Sequence, residues 1–411
     1  MKVAVIGGGA TGLFLSKLLS EIDAVEVTLF EKNRLGGNIY PVFVEGAGYV
    51  DLGFMVFNPD FYPIFYKFIN EKNFDLTSVS MSFSITSENF SWSSNWLGHL
   101  NSLNFVGFTE WLRLNRDLFY LYKNLSKYEN LKPPITSLIE DQKISVFASR
   151  VLLPLVCTLW SVDYRNLELI PTSYVLRFLK NHKMLSLFRK VRWHTFKNSS
   201  LDYLNSLISR KVKYRLEPVR EVMRAKNGSF NGVVVYTPQG ANNFDLVCFC
   251  CDPDQLKLLL KDPSPAEEVF LAKLKCSENK IYLHKDSRFL PPNLTSASWN
   301  FFDSSRSKFV TYDLGKLQNK PGLFVTLNPP TPPKDQLFCA TLKHPIWSPR
   351  FEGKDLDFFS DQPNTYFAGA YFGWCFQEDA LRSAVAVFKS IVSNRLPQQK
   401  NLRYASFLGT W

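Results

Sequence analysis

The chain has 411 residues, of which 45% are hydrophobic and 21% charged, and this composition excludes a disordered or fibrous protein. At about 100–200 residues per domain, the length predicts two or three intertwined lobes. The longest strongly apolar stretch runs only from Val151 to Val162. It falls short of the ~20 residues that a membrane-spanning helix needs, so none is expected.

The N-terminus and the cysteines narrow the class further. An apolar strand begins with Val3, which leaves no room for a signal peptide, and we therefore expect a cytoplasmic protein. Of the seven cysteines, only Cys248 and Cys251 have C-x-x-C spacing, and the five histidines lack the spacing of metal ligands. We predict neither a disulfide framework nor a metal site.

The net charge of +11 is concentrated in one segment. Residues from Thr172 to Lys226 include 14 Lys and Arg against three acidic residues, whereas the rest of the chain is balanced. A localised basic region favours an anionic partner, and anionic lipid is favoured over nucleic acid because no nucleic-acid-binding motif accompanies it. A solvated basic face is the alternative interpretation.

The first thirty residues carry the most specific motif. An apolar strand is followed at once by a glycine-rich turn with Gly7, Gly9 and Gly12, then by leucines at helical spacing, and then by a second strand that ends at Glu31. This order predicts a dinucleotide-binding βαβ unit. The glycines allow a tight turn and close approach of the pyrophosphate, and the carboxylate accepts hydrogen bonds from the ribose hydroxyls.

A second glycine pair, Gly36-Gly37, follows soon after Glu31. Such a pair is typical of flavoproteins that bind FAD in an extended pose, and NAD enzymes do not usually carry it. Arg34 lies between the acid and the glycine pair, where it would meet a phosphate; a surface arginine without a ligand is the alternative. FAD is therefore the predicted cofactor.

The middle of the chain is predicted to form a helical lobe. Aromatic and aliphatic residues recur at helical spacing in residues 61–68, 105–128, 144–160, 173–178 and 200–208. The 36 phenylalanines would fill cores, and collectively they also suit an apolar substrate cavity. Four short strands in residues 213–250 predict a β-meander, more strands are expected in residues 280–327, and a last strand at 365–368 precedes a helix over 377–394.

These elements predict an α/β protein with a Rossmann-like FAD-binding domain and an interleaved α+β substrate domain that contains a helical insertion. The predicted FAD-binding domain is discontinuous and the substrate domain fills the intervals. The FAD-binding domain comprises residues 1–60, 210–275 and 360–400, and the substrate domain comprises residues 61–209 and 276–359.

Blocks along nearly the whole chain resemble a known family, the flavin-containing amine oxidase superfamily, and within it a branch of bacterial and plant FAD-dependent oxidoreductases. The first and last blocks occur across the superfamily, whereas those around Gly53-Phe54 and Trp160-Ser161 are narrower signals. The similar blocks are residues 3–12, 30–37, 50–58, 81–84, 159–161, 193–203, 252–267, 297–300 and 365–385.

The resemblance implies further cofactor contacts. Backbone groups at Val219 would hold the adenine, Gly53 and Phe54 would lie beside the isoalloxazine, and Gly369 belongs to the second glycine motif. The helix that begins near Gln377 would direct its N-terminus, with Glu378, Asp379 and Ala380, at the flavin pyrimidine. The positive end of the helix dipole would stabilise negative charge on the reduced ring.

The similar blocks also supply pocket candidates, namely Trp160, Tyr371, Trp374 and Cys375, although packing is the alternative role for each. We identify no catalytic base; His182 and His194 are candidate proton carriers, and a structural role is the alternative. The chain departs from the family pattern at Asn198-Ser199, Gln377 and Ala380, and Lys280 is only a weak counterpart of the lysine near flavin N5.

The resulting hypothesis is an FAD-dependent oxidoreductase that accepts hydride from an apolar substrate. Relatives of this branch occur beside cyclopropane fatty acid synthases, which implies a fatty acyl chain or lipid as substrate. Peripheral contact with an anionic membrane is a further hypothesis, and no nucleic-acid partner is expected. Amine oxidation, desaturation or isomerisation of another substrate, and FAD binding without turnover are the alternatives.

Overall fold

The structure is a computed structural model that describes residues 1–95, 99–100, 102–103, 107–184, 191–225, 231–291, 295–304, 307–346 and 364–396. Its strands in chain order are β1 (Lys2–Ile6), β2 (Glu26–Phe30), β3 (Pro41–Val44), β4 (Gly48–Asp51), β5 (Leu76–Val79), β6 (Phe83–Ser87), β7 (Phe90–Ser93), β8 (Trp193–Phe196), β9 (Lys213–Arg215), β10 (Glu221–Arg224), β11 (Val233–Thr237), β12 (Gly240–Phe244), β13 (Leu246–Phe249), β14 (Lys275–His284), β15 (Trp299–Asp303), β16 (Lys308–Asp313), β17 (Phe324–Leu327), β18 (Gln336–Ile346) and β19 (Thr365–Phe367).

The α-helices of the described residues are α1 (Ala10–Ser20), α2 (Pro63–Glu71), α3 (Phe108–Lys123), α4 (Leu125–Tyr128), α5 (Ser145–Phe147), α6 (Leu153–Trp160), α7 (Thr172–Asn181), α8 (Leu201–Leu207), α9 (Pro253–Leu259), α10 (Pro265–Lys273), α11 (Leu314–Gln318) and α12 (Gln377–Arg395). A π-helical turn, Ala148–Leu152, leads into α6. None of the helices described is both long enough and apolar enough to cross a bilayer.

The first sheet is parallel and has the strand order β19-β13-β1-β2-β9. Its β1 reads VAVI in the fully buried positions, as expected for a strand covered on both faces. The chain leaves β1 for β2 on one side and later returns to β13 on the other. The carboxyl end of β1 is therefore a topological switch point, where ligands bind in open α/β sheets.

The second sheet has seven strands in the order β18-β14-β17-β16-β15-β6-β7 and draws on two distant stretches of the chain, residues 83–93 and 275–346. It is mixed, because β15 pairs in parallel with β6 and antiparallel with β16. Helices α3 to α7 form the helical lobe between the two stretches. This arrangement confirms the predicted fold class, a Rossmann-like domain interleaved with a mixed second domain.

The predicted β-meander was partly wrong. Only β10, β11 and β12 form an antiparallel three-stranded sheet, while β9 and β13, which flank them in sequence, join the parallel sheet. Short apolar strands look alike in sequence whether their partners run parallel or antiparallel. The turn predicted at residues 238–240 joins β11 to β12, and the one at 227–228 lies outside the described residues.

Candidate functional site: a dinucleotide cradle beneath a domain junction

The glycine-rich turn lies at the carboxyl end of β1 and opens directly into α1. Gly7 has a φ of +108°, which a residue with a Cβ rarely adopts, and a Cβ there would stand 2.7 Å from the carbonyl oxygen of Cys250. A Cβ on Gly12 would overlap the carbonyl oxygen of Gly7. Both glycines are therefore required for the turn itself, whether or not a ligand is bound.

Gly9 differs from the other two glycines. Its backbone is extended, with φ −75° and ψ −175°, and a Cβ added there would meet only the Cα of Gly37, 3.9 Å away. The protein itself therefore leaves room for a side chain at Gly9. Open space beside the positive end of α1 suits the pyrophosphate of a dinucleotide. The motif has glycine at this position because a side chain would fill that space.

Glu31 directly follows β2 and lies at the same edge of the sheet. Its carboxylate accepts hydrogen bonds from the backbone N–H groups of Gly8 (2.8 Å) and Asn33 (2.9 Å). These two bonds hold the carboxylate beside the turn, where a ribose hydroxyl can reach an oxygen lone pair that they leave open. The predicted ribose acceptor and the predicted phosphate turn are thus in contact.

The second glycine pair lies opposite the glycine-rich turn; together with Glu31, the turn and this pair form what we call the cradle. Gly36 donates its N–H to the carbonyl oxygen of Gly8 (2.7 Å), and residues 9 and 36 form an isolated parallel bridge. Gly36 and Gly37 both have positive φ, at +114° and +56°. The backbones of Gly9 and Gly37 therefore face each other across the site, where the sequence predicts an extended FAD.

Arg34 has a structural role that the sequence did not indicate. Its guanidinium donates to the carbonyl oxygens of Leu35, Gly37 and Ile39 at 2.8–2.9 Å and stacks on the ring of Tyr40, 3.5 Å from its centroid. These contacts hold the loop after Glu31 in shape. The phosphate contact predicted for Arg34 stays a prediction, and Tyr40 is a stacking partner that sequence reasoning missed.

Beyond the cradle, Gly53 and Phe54 lie against strand β18 of the second sheet. Phe54 donates its N–H to the carbonyl oxygen of Asn38 (2.9 Å), and a Cβ on Gly53 would overlap that same oxygen. The Asn38 side chain in turn donates to the carbonyl oxygen of Lys343 in β18 (3.0 Å). Asn38 therefore links the two domains at the segment expected beside the flavin ring, although no motif marked it.

The N-terminus of α12 is held between the segment that follows β19 and the start of α2. Gly369 follows β19 and donates its N–H to the hydroxyl of Ser383 in α12 (2.9 Å). Glu378 and Asp379 are buried in the first turn, and Ala380 is buried beside them. The Glu378 carboxylate accepts from the N–H groups of Ile64 and Phe65 at the start of α2, both at 3.0 Å.

Burial raises the pKa of both carboxyl groups in this first turn. The pKa of Glu378 rises to about 7 because desolvation outweighs its hydrogen bonds from Phe65 and Ile64, and the pKa of Asp379 rises to about 6 for the same main reason. The N-terminus of α12 therefore carries two groups that take up or release a proton near neutral pH, which reduces the positive potential expected there.

Val219 and Tyr371 both pack in a second buried cluster, and the adenine contact predicted for Val219 stays a prediction. Val219 follows β9, beside the end of β2, and packs against this cluster. Tyr371 is buried in that same cluster, where its ring contacts Phe372 and its hydroxyl donates to the carbonyl oxygen of Ala368 (3.2 Å). The structure thus does not bring Tyr371 to the other pocket candidates.

The remaining pocket candidates do meet. The indole N–H of Trp160 donates to the carbonyl oxygen of Trp374 (3.0 Å), and Cys375, with a φ of +70°, is buried next to it. Trp160 also packs against Tyr174, Phe178 and Phe376. Tyr174 and Phe178 are four residues apart on α7, so their shared helix face was a signal that could have identified them.

This aromatic cluster ends in a cleft beside the first turn of α12. His182 stacks between Phe61 and Phe178, with ring centroids 4.4 and 3.8 Å away, and its Nδ1 contacts the Phe178 carbonyl oxygen (2.9 Å). Burial lowers the pKa of His182 to about 4, so it is neutral at pH 7. The cleft is lined by Phe61, Tyr62, His182, Trp374, Phe376, Glu378, Asp379 and Arg382.

Two other candidates lie outside this cleft. Lys280 is exposed on β14, with its ammonium over the ring of Tyr282, whereas its neighbour Asn279 turns inward and donates to the Ser161 carbonyl oxygen (3.2 Å). His194 lies in β8, where burial lowers its pKa. Lys280 is therefore not positioned to act at the cleft.

One group of potential metal ligands occurs among the described residues. Asp252, Asp254 and Cys276 each place one ligand atom within 4.8 Å of the others. The ammonium of Lys343 lies 3.1 Å from Asp254 and 3.9 Å from Asp252, so a cation of the protein neutralises part of the charge of these two carboxylates.

Comparisons with known proteins agree with this geometry. Residues 5–71 match the model of the NAD(P)-binding Rossmann-like domain, and no curated protein sequence matches the chain significantly. Among solved structures, one from Exiguobacterium sp. 255-15 assigned as a protoporphyrinogen oxidase has a TM-score of 0.72 at 14% identity, covering 96% of this chain and 99% of that one. This chain and that protein share one fold over nearly their whole lengths.

Two further structures share the fold over almost the whole chain. A fatty acid isomerase of P. acnes that produces CLA has a TM-score of 0.68 at 13% identity, covering 96% of this chain and 98% of its own. Cyclohexylamine oxidase from Brevibacterium oxydans IH-35A has a TM-score of 0.66 at 14% identity, covering 95% and 99%. The resemblance seen in the sequence is thus confirmed at the level of the fold.

Proposed function

We propose that this protein is an FAD-dependent oxidoreductase that acts on an apolar substrate, a fatty acyl chain or lipid. The main support for FAD is the cradle. Gly9 and Gly37 leave space for a pyrophosphate between their backbones, and the Glu31 carboxylate lies at the edge of that space, within reach of a ribose. Bound FAD supplies a hydride acceptor. The chain supplies the position of the cofactor and the environment of the reaction.

In this proposal each wall of the site has a distinct task. The N-terminus of α1 binds the pyrophosphate, and Glu31 accepts hydrogen bonds from the ribose. Gly53-Phe54 and β18 would confine the flavin ring, and the first turn of α12 would supply the field that stabilises negative charge on it. The aromatic cluster excludes water from the reacting face.

The aromatic cluster supports an apolar substrate. Trp160 and Tyr174 pack behind the cleft lining and donate their polar hydrogens to the backbone carbonyl oxygens of Trp374 and Gly373, so the cluster that supports the lining is hydrocarbon in character. His182 is neutral at pH 7 and adds no charge. The aromatic part of the cleft lining favours contact with hydrocarbon, whereas Glu378, Asp379 and Arg382 form its polar part.

Amine oxidation is the second candidate, and a specific observation favours it. Glu378 and Asp379 line the same cleft as Phe61, Trp374 and Phe376. Carboxylates beside aromatic faces attract an ammonium group. The solved structures with this fold include both a fatty acid isomerase and a cyclohexylamine oxidase, so the fold accommodates either class.

The first experiment is an absorption spectrum of the purified protein, followed by acid release and identification of any chromophore. We expect flavin bands and free FAD. Anaerobic mixing with unsaturated fatty acids and with cyclohexylamine then separates the two substrate classes by which one bleaches the flavin. A colourless protein that does not bind added FAD would overturn the oxidoreductase proposal.

A pair of glycine variants tests the cradle itself. Gly9→Ala places a Cβ where only the ligand approaches, and we expect an unchanged melting temperature of the cofactor-free chain with FAD binding about 5- to 150-fold weaker, from about 1–3 kcal/mol of overpacking. Gly12→Ala is the contrast, because its Cβ overlaps Gly7 and destabilises the chain without any ligand. Unchanged FAD affinity in Gly9→Ala would place the ligand elsewhere.

A further inference from the structure

Helix α3 turns a stripe of large apolar side chains towards solvent. Phe108, Leu112, Phe119 and Tyr122 are 66%, 46%, 47% and 37% exposed. Their spacing places all four within about a quarter of the helix circumference. Scattered exposed hydrophobic residues are ordinary, but four on one helix face, in two pairs with Asn115 between them, mark an interaction surface.

The orientation of α3 is fixed by its opposite face. Leu114, Asp117 and Leu121 are buried, and the Asp117 carboxylate accepts the N–H groups of Val146 and Phe147 at 3.1 and 3.3 Å. A buried carboxylate with two such bonds anchors the helix to the lobe. The apolar stripe therefore cannot rotate into the core.

The exposed side of α3 and α4 is also basic. Arg113, Arg116, Lys123 and Lys127 are all exposed on these two helices. Of the two acidic residues there, the buried Asp117 pairs with Arg116 at 2.7 Å and Glu110 pairs with Arg150 at 3.2 Å, so the charge of this surface rests on Arg113, Lys123 and Lys127. The ammonium of Lys123 lies 4.5 Å above the ring of Phe119, so cationic and apolar groups lie side by side.

The basic segment identified in the sequence is different in character. Within its described part, five cations pair with acids of other elements or neighbouring residues, and residues 185–190 and 226 lie outside the description. The five pairs are Lys180–Glu129, Lys183–Asp60, Lys211–Glu21, Arg215–Glu217 and Arg224–Glu267. Five of the eleven described cations are thus compensated, whereas α3 and α4 combine positive charge with exposed apolar side chains, which makes these two helices the candidate contact surface.

We propose that α3 lies in the surface of a membrane that contains anionic lipid, with its apolar stripe among the acyl chains and its cations at the headgroups. Phe and Leu on one helix face beside Lys and Arg are the features of interfacial helices. The flanking positive charge favours this partner over an apolar protein surface, where Lys123 and Lys127 would lose hydration without a counter-charge. The proposal does not depend on the flavin chemistry.

The test is co-sedimentation of the full-length protein with vesicles of phosphatidylcholine alone and of phosphatidylcholine mixed with phosphatidylserine. We expect binding to the mixed vesicles and much less to the neutral ones. The double variant Lys123→Glu and Lys127→Glu should lower partitioning onto the mixed vesicles at least about tenfold, since each cation contributes about one factor of five. The double variant Phe108→Ser and Phe119→Ser should lower it on both.

Matched controls separate this surface from nonspecific effects. Leu258→Ser removes an equally exposed apolar side chain (62%) from α9, and Lys285→Glu reverses an exposed charge after β14; both should bind like the wild type. Circular dichroism and melting temperature confirm that each variant is folded. Lipid binding that the α3 variants leave unchanged, absence of binding, or loss only of self-association in Phe108→Ser and Phe119→Ser would each overturn the proposal.

Discussion

Glu378 connects the first turn of α12 to the start of α2, and Glu378→Gln tests how its charge affects stability. The carboxylate is 3% exposed and accepts two backbone N–H groups, from Ile64 and Phe65. Glutamine has the same shape but cannot ionise, and its single acceptor oxygen satisfies only one of the two donors well. The substitution thus removes the titration while it retains the packing.

The magnitude follows from the pKa. Burial raises the pKa of Glu378 from 4.5 to about 7 in the folded chain, so the folded state holds the proton more tightly than the unfolded state. The free energy of unfolding is therefore highest below pH 4.5 and falls as the pH rises to about 7, by about 3 kcal/mol as an upper estimate. The glutamine variant lacks this decline and loses about 1 kcal/mol for one unsatisfied N–H.

Urea unfolding monitored by circular dichroism, from about pH 4 to about pH 8, measures both effects. We expect Glu378→Gln to be about 1 kcal/mol less stable than the wild type at the acidic end and about 2 kcal/mol more stable at the neutral end. Glu278→Gln, at an exposed position of β14, is the control and should follow the wild type throughout. A constant difference between Glu378→Gln and the wild type at every pH would refute the reasoning.

Three further substitutions probe buried polar groups, each by the same unfolding measurement. The Arg224 guanidinium is 9% exposed and lies 2.5 Å from the Glu267 carboxylate. Glu267→Ala removes this carboxylate from a buried cation and should lower the free energy of unfolding by about 3–5 kcal/mol. Ser200→Ala removes a 2.6 Å bond to the buried carboxylate of Asp51 and should cost about 1.5–3 kcal/mol. His182→Phe should abolish a loss of stability that the wild type shows as the pH falls from about 6.5 to about 4, because burial lowers the pKa of His182 to about 4.

The dinucleotide unit could be predicted from the sequence because the interactions that define it join residues close together in the chain. Strand β1, the glycine turn, helix α1, strand β2 and Glu31 are contiguous, and each has a role that depends on near neighbours in the chain. Gly7 and Gly12 are fixed by the turn, and the acid necessarily stands at the carboxyl end of the next parallel strand.

The helices of the middle lobe and α12 were also predictable, whereas α9, α10 and α11 were missed, and spacing did not show which helix faces are buried. In α3 both faces carry apolar residues, so spacing alone did not show that Leu114 and Leu121 are buried whereas Phe108 and Leu112 are exposed. That choice depends on what the helix packs against, which is Val146 and Phe147 through Asp117. The spacing of apolar residues indicates a helix, but it does not show which element that helix packs against.

The sequence by itself thus determined the cradle, the fold class and the positions of most elements. Only the tertiary structure decided that Trp160 meets Trp374 across the chain, that Tyr371 belongs to another core, and that Arg34 holds a loop. It also decided which cations of the basic segment are compensated. The physical reason is that each of these outcomes depends on a contact between residues far apart in sequence, and neither local propensity nor composition specifies such a pairing.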